Sequence, residues 1–170
     1  TKADLIAPLS LDLNGNAITL SNKVWDKIEG SLEMKGGKPV HPISASVLKP
    51  VITEYKQQGK TFPMGMVFPV STHNYELRYW LAAGGVSPGY YTGLTDTTGT
   101  VSAEAQLSVT PPPQMPATLE AGTIEGYCVG EPWNQAAVQK KIGVPVISDE
   151  EIWHLNPEKV LGLREDFAEK

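Results

Sequence analysis

Thr61–Gly85 reads TFPMGMVFPVSTHNYELRYWLAAGG, and the order of its parts decides the fold. Thr61–Pro69 is a compact apolar run of the length of a buried strand. Thr72 can cap a helix over Asn74–Ala83, and Gly84-Gly85 ends it. The same order of strand, junction and helix recurs twice. Ala105–Thr110 runs through Pro111-Pro112-Pro113 into a helix over Gln114–Ala121. Gly126–Val129 runs through Val129-Gly130-Glu131-Pro132-Trp133 into a helix over Pro132–Lys141. Val144–Ile147 then reads as a strand and Ser148–Trp153 as a helix start. Strands alternating with helices predict an α/β layered domain with parallel strands.

Working outward, Leu11–Leu20 (LDLNGNAITL) places apolar residues on both sides of Asn14-Gly15, which predicts strand, turn, strand. Ser21 is a helix N-cap, and a short helix follows through Trp25 and Ile28. Lys35–Pro42 is a Gly/Pro-rich loop. Ile43–Gln58 carries Val47, Val51, Ile52 and Tyr55 at helical spacing, with Pro50 a kink or a fresh start. Pro88–Thr100 is a surface loop. Arg164–Lys170 reads as a helix cut off in mid-course, which predicts an excised piece of a longer chain.

The 170 residues suffice for one domain with its own core. A net charge of −5 argues against nucleic-acid binding, which needs a basic field. Cys128, the one cysteine, excludes an internal disulfide and a cysteine-based metal cluster. No apolar run is long enough for a membrane span, and no signal peptide is visible.

G-x-S-x-G, a phosphate-binding glycine loop and H-E-x-x-H are all missing, which argues against an enzyme. His41, His73 and His154 do not share metal-ligand spacing. His73 stands where a buried strand hands over to a helix, the place at which open α/β sheets bind ligands. A neutral imidazole there can donate to an anion, or can simply cap or pack against the helix. Pro111–Pro113 forms either a stiff pocket wall or a rigid connection. Gly130 permits close backbone approach, and Glu131 can accept from a ligand or cap the next helix. Residue chemistry alone ends at an α/β domain with a small-molecule site, and gives no reason to single out Lys159.

Thr72–Gly85 resembles the H-x-x-x-x-R-Y-W-L-A-A-G-G segment of nitrate- and bicarbonate-binding proteins of ABC transporters, the NrtA family. Pro111-Pro112-Pro113-Gln114-Met115, Ala121-Gly122-Thr123-Ile124, Tyr127–Trp133, Ile152-Trp153 and Asn156-Pro157-Glu158-Lys159-Val160 follow in that family's order. The resemblance implies a periplasmic-binding-protein type II fold with the solute between two lobes. Residues 1–20 would cross from the first lobe, 21–143 form the second, and 144–170 return and start a first-lobe helix. It implies a nitrate site of His73, Lys159, Pro112, Val129, Gly130 and Glu131. A family glutamine falls on Asn16, an amide one methylene shorter. His73 with Lys159 points to nitrate or nitrite, because bicarbonate binders replace that lysine by an acidic residue. A buried lysine would take its counter-charge from the anion. Expected partners are permease and ATPase subunits, in the periplasm, with a lipid anchor outside these residues and no cofactor. The alternatives are a cytoplasmic nitrate-sensing regulatory domain and a bicarbonate-binding homologue. An enzyme of the same superfamily, the thiamin-pyrimidine synthases, is disfavoured because their activity goes with a cysteine-rich motif.

Overall fold

The computed structural model describes residues 4–169; Thr1–Ala3 and Lys170, parts of the expected entering and leaving segments, lie outside the described residues. In chain order the elements are β1 (Leu5–Leu13), β2 (Asn16–Ser21), α1 (Asn22–Ile28), β3 (Met34–Lys35), β4 (Lys38–Pro39), α2 (Lys49–Gln57), β5 (Phe62–Met66) and α3 (Thr72–Ala83). Next come β6 (Ala105–Val109), α4 (Met115–Glu120), β7 (Gly126–Gly130), α5 (Trp133–Gln139), β8 (Gly143–Ser148), α6 (Asp149–Ile152), β9 (Pro157–Arg164) and α7 (Glu165–Ala168).

A five-stranded sheet runs in the order β6-β5-β7-β2-β8. β5 is parallel to β6 and β7, while β2 lies antiparallel between β7 and β8. Helices cover both faces. Ile18, Leu20, Phe62 and Met64 meet Val24, Ile28, Leu48, Val51, Leu77 and Leu81 on one face. Tyr127 and Val129 meet Met115, Leu119 and Ala137 on the other. β7 therefore sends Tyr127 and Val129 one way and Cys128 the other, as strand alternation requires. These two apolar layers drive folding by burial.

The expected strand, turn and strand around Asn14-Gly15 are present, but the two strands do not pair with each other. Asn14 has φ +58° but Gly15 is not left-handed, so the two consecutive positive φ values of a type I′ turn are missing. β2 is buried at every position except the half-buried Ala17 and takes a place inside the sheet, between β7 and β8. β1 pairs instead with β9, 144 or more residues away, in a separate antiparallel ribbon. The boundaries expected at 20/21 and 143/144 thus fall inside the sheet, which includes both β2 and β8.

Local signals elsewhere act as the sequence predicts. The Ser21 hydroxyl accepts from the Val24 N–H and starts α1. Pro50 sits in the first turn of α2, a fresh start after the tighter turn Ala45–Leu48. α3 begins two residues earlier than expected, at Thr72 instead of Asn74, with Ser71 rather than Thr72 as its cap. At its far end Gly84 allows a close approach. A Cβ there would lie 2.5 Å from the Ser46 nitrogen and 2.6 Å from the Ala45 carbonyl carbon.

Candidate functional site

The parallel strands β5, β6 and β7 end at one edge of the sheet, and β2 begins there, with Asn16 opposite Gly130. Asn14 and Asn156 fasten the ribbon to this edge through the bonds Asn14 N–H to Asn156 O and Asn156 N–H to Asn14 Oδ1, both 2.9 Å. The start of β9 is thereby laid beside Asn16 and the N-terminus of α3.

Asn16, His73 and Gly130 are brought together around Glu158. Asn16 is 2% exposed, and its Nδ2 donates to Glu158 Oε2 at 2.6 Å. A Cβ on Gly130 would lie 3.3 Å from Asn16 Oδ1 and 3.8 Å from Glu158 Oε1, so glycine lets the β7 backbone come close to both side chains. His73 Nε2 stands 3.4 Å from Glu158 Oε1. Burial holds the imidazole below its ordinary pKa, with the Glu158 charge opposing and the Lys159 charge assisting. Burial thus favours the neutral imidazole, whose Nδ1 is buried without a hydrogen-bond partner.

Lys159 goes elsewhere. Its side chain is 53% exposed, and Nζ pairs with Asp12 Oδ2 at 2.8 Å. The counter-charge that a buried lysine would take from the anion is supplied by Asp12 across the β1–β9 ribbon. Neighbouring residues of a strand point to opposite faces, so Glu158 turns to His73 while Lys159 turns out. Its ammonium still stays near the rim, 3.4 Å from where a Gly15 Cβ would be. Lys159→Ala is accordingly expected to change unfolding free energy by less than about 1 kcal/mol in urea denaturation, as for other exposed pairs. A loss several times larger would show that the lysine is buried in the working protein.

Three more expected wall residues are placed differently. Val129 packs in the core and its carbonyl accepts from Asn134 Nδ2 at 2.8 Å. The Glu131 carboxylate caps α5 by accepting from the Gln135 N–H at 3.1 Å, while its own N–H donates to Gly15 O. Pro112 lies on the turn Pro112–Gln114 after β6, at the same edge but three strands from β2.

Residue reasoning missed the acidic half of the site. Glu76 is fully buried on α3. It accepts from Asn16 Nδ2 at 3.2 and 3.3 Å, from Asn156 Nδ2 at 3.0 Å and from the Cys128 thiol at 3.5 Å. Asp149, at the start of α6, is 1% exposed. The available signal was Glu76 itself, a carboxylate on the helix face that also buries Leu77 and Leu81. Burial raises its pKa to about 7; the Asn16 bond opposes this, and the Asp149 and Glu158 charges add to it. Burial raises Asp149 as well.

The folded protein therefore keeps a proton on Glu76 that the unfolded chain has released once pH passes 4.5. Stability from this group is full below that pH and is lost as pH rises toward about 7. In urea unfolding at pH 5 and pH 7.5 in metal-free buffer, Glu76→Gln is expected to flatten the decline seen in the native protein. An unchanged slope would place the titrating group elsewhere.

A family model described as the NMT1-like family matches residues 1–170. Among curated relatives, the bicarbonate transport ATP-binding protein CmpC of Synechococcus elongatus is 40% identical over 98% of this chain and 21% of its own length. The nitrate/nitrite binding protein NrtA of Nostoc sp. is 35% identical over 94% of this chain and 31% of its own. The crystal structure of the periplasmic nitrate-binding protein NrtA from Synechocystis PCC 6803 superimposes with a TM-score of 0.71 at 26% identity, covering 98% of this chain and 36% of that one. The chain thus spans between a fifth and about a third of these relatives.

Proposed function

Because the chain belongs to the NMT1-like family and has the fold of the periplasmic binding proteins, we propose that it forms one lobe of an oxyanion-binding cleft in an ABC import system. Nitrate or nitrite is the first reading of the ligand. The observation that carries it is the edge at which the parallel strands end, where the neutral His73, the buried Asn16 and Gly130 converge. The match to a solved nitrate-binding protein, which takes in this whole edge, supports it. The domain binds and presents a solute and catalyses nothing. Its partners are permease and ATPase subunits.

On this reading the β1–β9 ribbon crosses to the other lobe. Leu5, Leu9, Leu11 and Leu161 on the ribbon, and Phe68 and Val70 at the lip, are exposed apolar groups that a second lobe would cover. Location follows the host protein. A binding protein like NrtA would sit in the periplasm on a lipid anchor. The higher identity to an ATP-binding protein favours the second architecture, a cytoplasmic regulatory domain fused to the ATPase.

Glu158 favours a second ligand. Nitrate accepts hydrogen bonds and donates none, so a carboxylate facing His73 repels it. Bicarbonate has an O–H to offer Glu158, and it fits this corner better. Calorimetric titration of the full-length parent protein with nitrate, nitrite and bicarbonate tests both readings. Binding of any one of them, lost in His73→Ala, upholds the oxyanion cleft. Heat from none of the three would end the proposal.

A further inference from the structure

We propose that the cleft between α1 and the C-terminal end of α2 binds a diphosphate group, either free or carried on a nucleotide. The cleft has a volume of about 620 Å³, and Lys23, Lys27, Glu54, Tyr55, Lys60 and Glu125 are among the residues that line it. It opens where the parallel strands β5 and β7 begin, opposite the edge that holds Asn16 and His73. Its base is a buried carboxylate. Glu125 is 1% exposed. It accepts from Ser21 Oγ at 2.8 Å, from the Lys23 ammonium and from the Tyr55 hydroxyl. Burial acts to raise its pKa, but these three bonds hold it below the ordinary carboxylate value. Glu125 is therefore ionised and fully engaged, and what it offers the cleft is a fixed Lys23.

The lysines select the ligand. The Glu125 bond raises the pKa of Lys23 and keeps it charged. An ammonium has three donors, and the bonds to Glu125 and Tyr55 leave one of them for a ligand. Lys27 lies four residues on, on the same face of α1. Its partner Glu54 is exposed, and so weak a pair yields readily to a stronger anion. Lys60, which follows α2, has no carboxylate within ion-pair distance among the described residues. Three ammonium groups thus face two carboxylates, in a chain whose net charge is −5. Side chains four apart on a helix stand about 6 Å from each other at Cβ. A small monovalent anion meets one such group, whereas two linked phosphates can meet several. Lysine binds phosphate as a point charge, and the volume suits a small molecule, for which pockets run to about 300–1,000 Å³.

The inference goes beyond the oxyanion reading and does not depend on it, since these residues lie at the other edge of the sheet. Full-length parent protein is titrated calorimetrically with sodium pyrophosphate and, separately, with adenosine diphosphate, in buffer free of divalent metal. A single class of pyrophosphate site is expected, and excess nitrate should not displace the ligand. Lys60→Glu should weaken binding by about tenfold or more, the effect of losing a bond to a charged group. Lys49→Glu reverses an exposed charge at the far end of α2 and should leave binding unchanged. Only nucleotide binding that Lys60→Glu removes belongs to the cleft. If that component is tighter than pyrophosphate, the group arrives on a nucleotide; if it is weaker, the free diphosphate is the ligand, and both results uphold the site. Silence with both ligands overturns it, as does native affinity in Lys60→Glu. Equal losses in the two variants overturn it too, because they would reflect the overall charge and not a place. Displacement of pyrophosphate by nitrate would put both anions at the other edge and end the proposal.

Discussion

Glu158→Lys is expected to tighten nitrate binding by about ten- to a hundredfold and to weaken bicarbonate by a similar factor. A hydrogen bond to a charged group contributes roughly 1.5–3 kcal/mol, and each 1.4 kcal/mol is about tenfold in affinity. The native side chain is committed on both oxygens. Oε2 accepts from Asn16 Nδ2 at 2.6 Å, and Oε1 stands 3.4 Å from His73 Nε2. Substitution by lysine replaces a repelling carboxylate with an ammonium in the same corner and leaves the His73 ring free to face the anion. The Asn16 amide loses one acceptor but keeps Glu76. Parallel titrations of native and variant parent protein with the two anions read the effect. An unchanged ratio of the two affinities would mean that residue 158 does not face the solute.

Gly84→Ala is expected to destabilise the domain by about 3 kcal/mol or more, the upper end for overpacking. The new methyl group would meet the main chain of Ala45 and Ser46 at 2.5–2.6 Å, and backbone cannot turn aside as a side chain can. Relief requires α3 to move off the turn Ala45–Leu48, which loosens Leu48, Leu77 and Leu81 in the core. The midpoint of guanidinium unfolding measures it. A loss under about 1 kcal/mol would show that this junction yields.

What was legible in the chain was local. Strand, junction and helix at Phe62–Ala83, the Ser21 cap and the restart at Pro50 each follow from residues a few positions apart. The failures concern partners far along the chain. Asn14-Gly15 marks the turn between two strands, but nothing near it says that β9 pairs with β1 and the sheet takes β2. Whether Glu158 or Lys159 faces the crevice is a matter of strand phase. That phase is set by Asp12, 147 residues away, which holds both the N–H and the ammonium of Lys159. Glu76 was visible as a carboxylate on an apolar helix face, but its neighbours Asp149 and Glu158 arrive from 73 and 82 residues downstream. His73, by contrast, was found because a helix start after a buried strand marks itself in sequence.

The β1–β9 pairing brings Leu5 opposite Arg164. Any chain preceding the first and any chain following the second therefore depart from one spot, side by side. That geometry suits a segment found in relatives of which it makes up 21% in one and 31% in another.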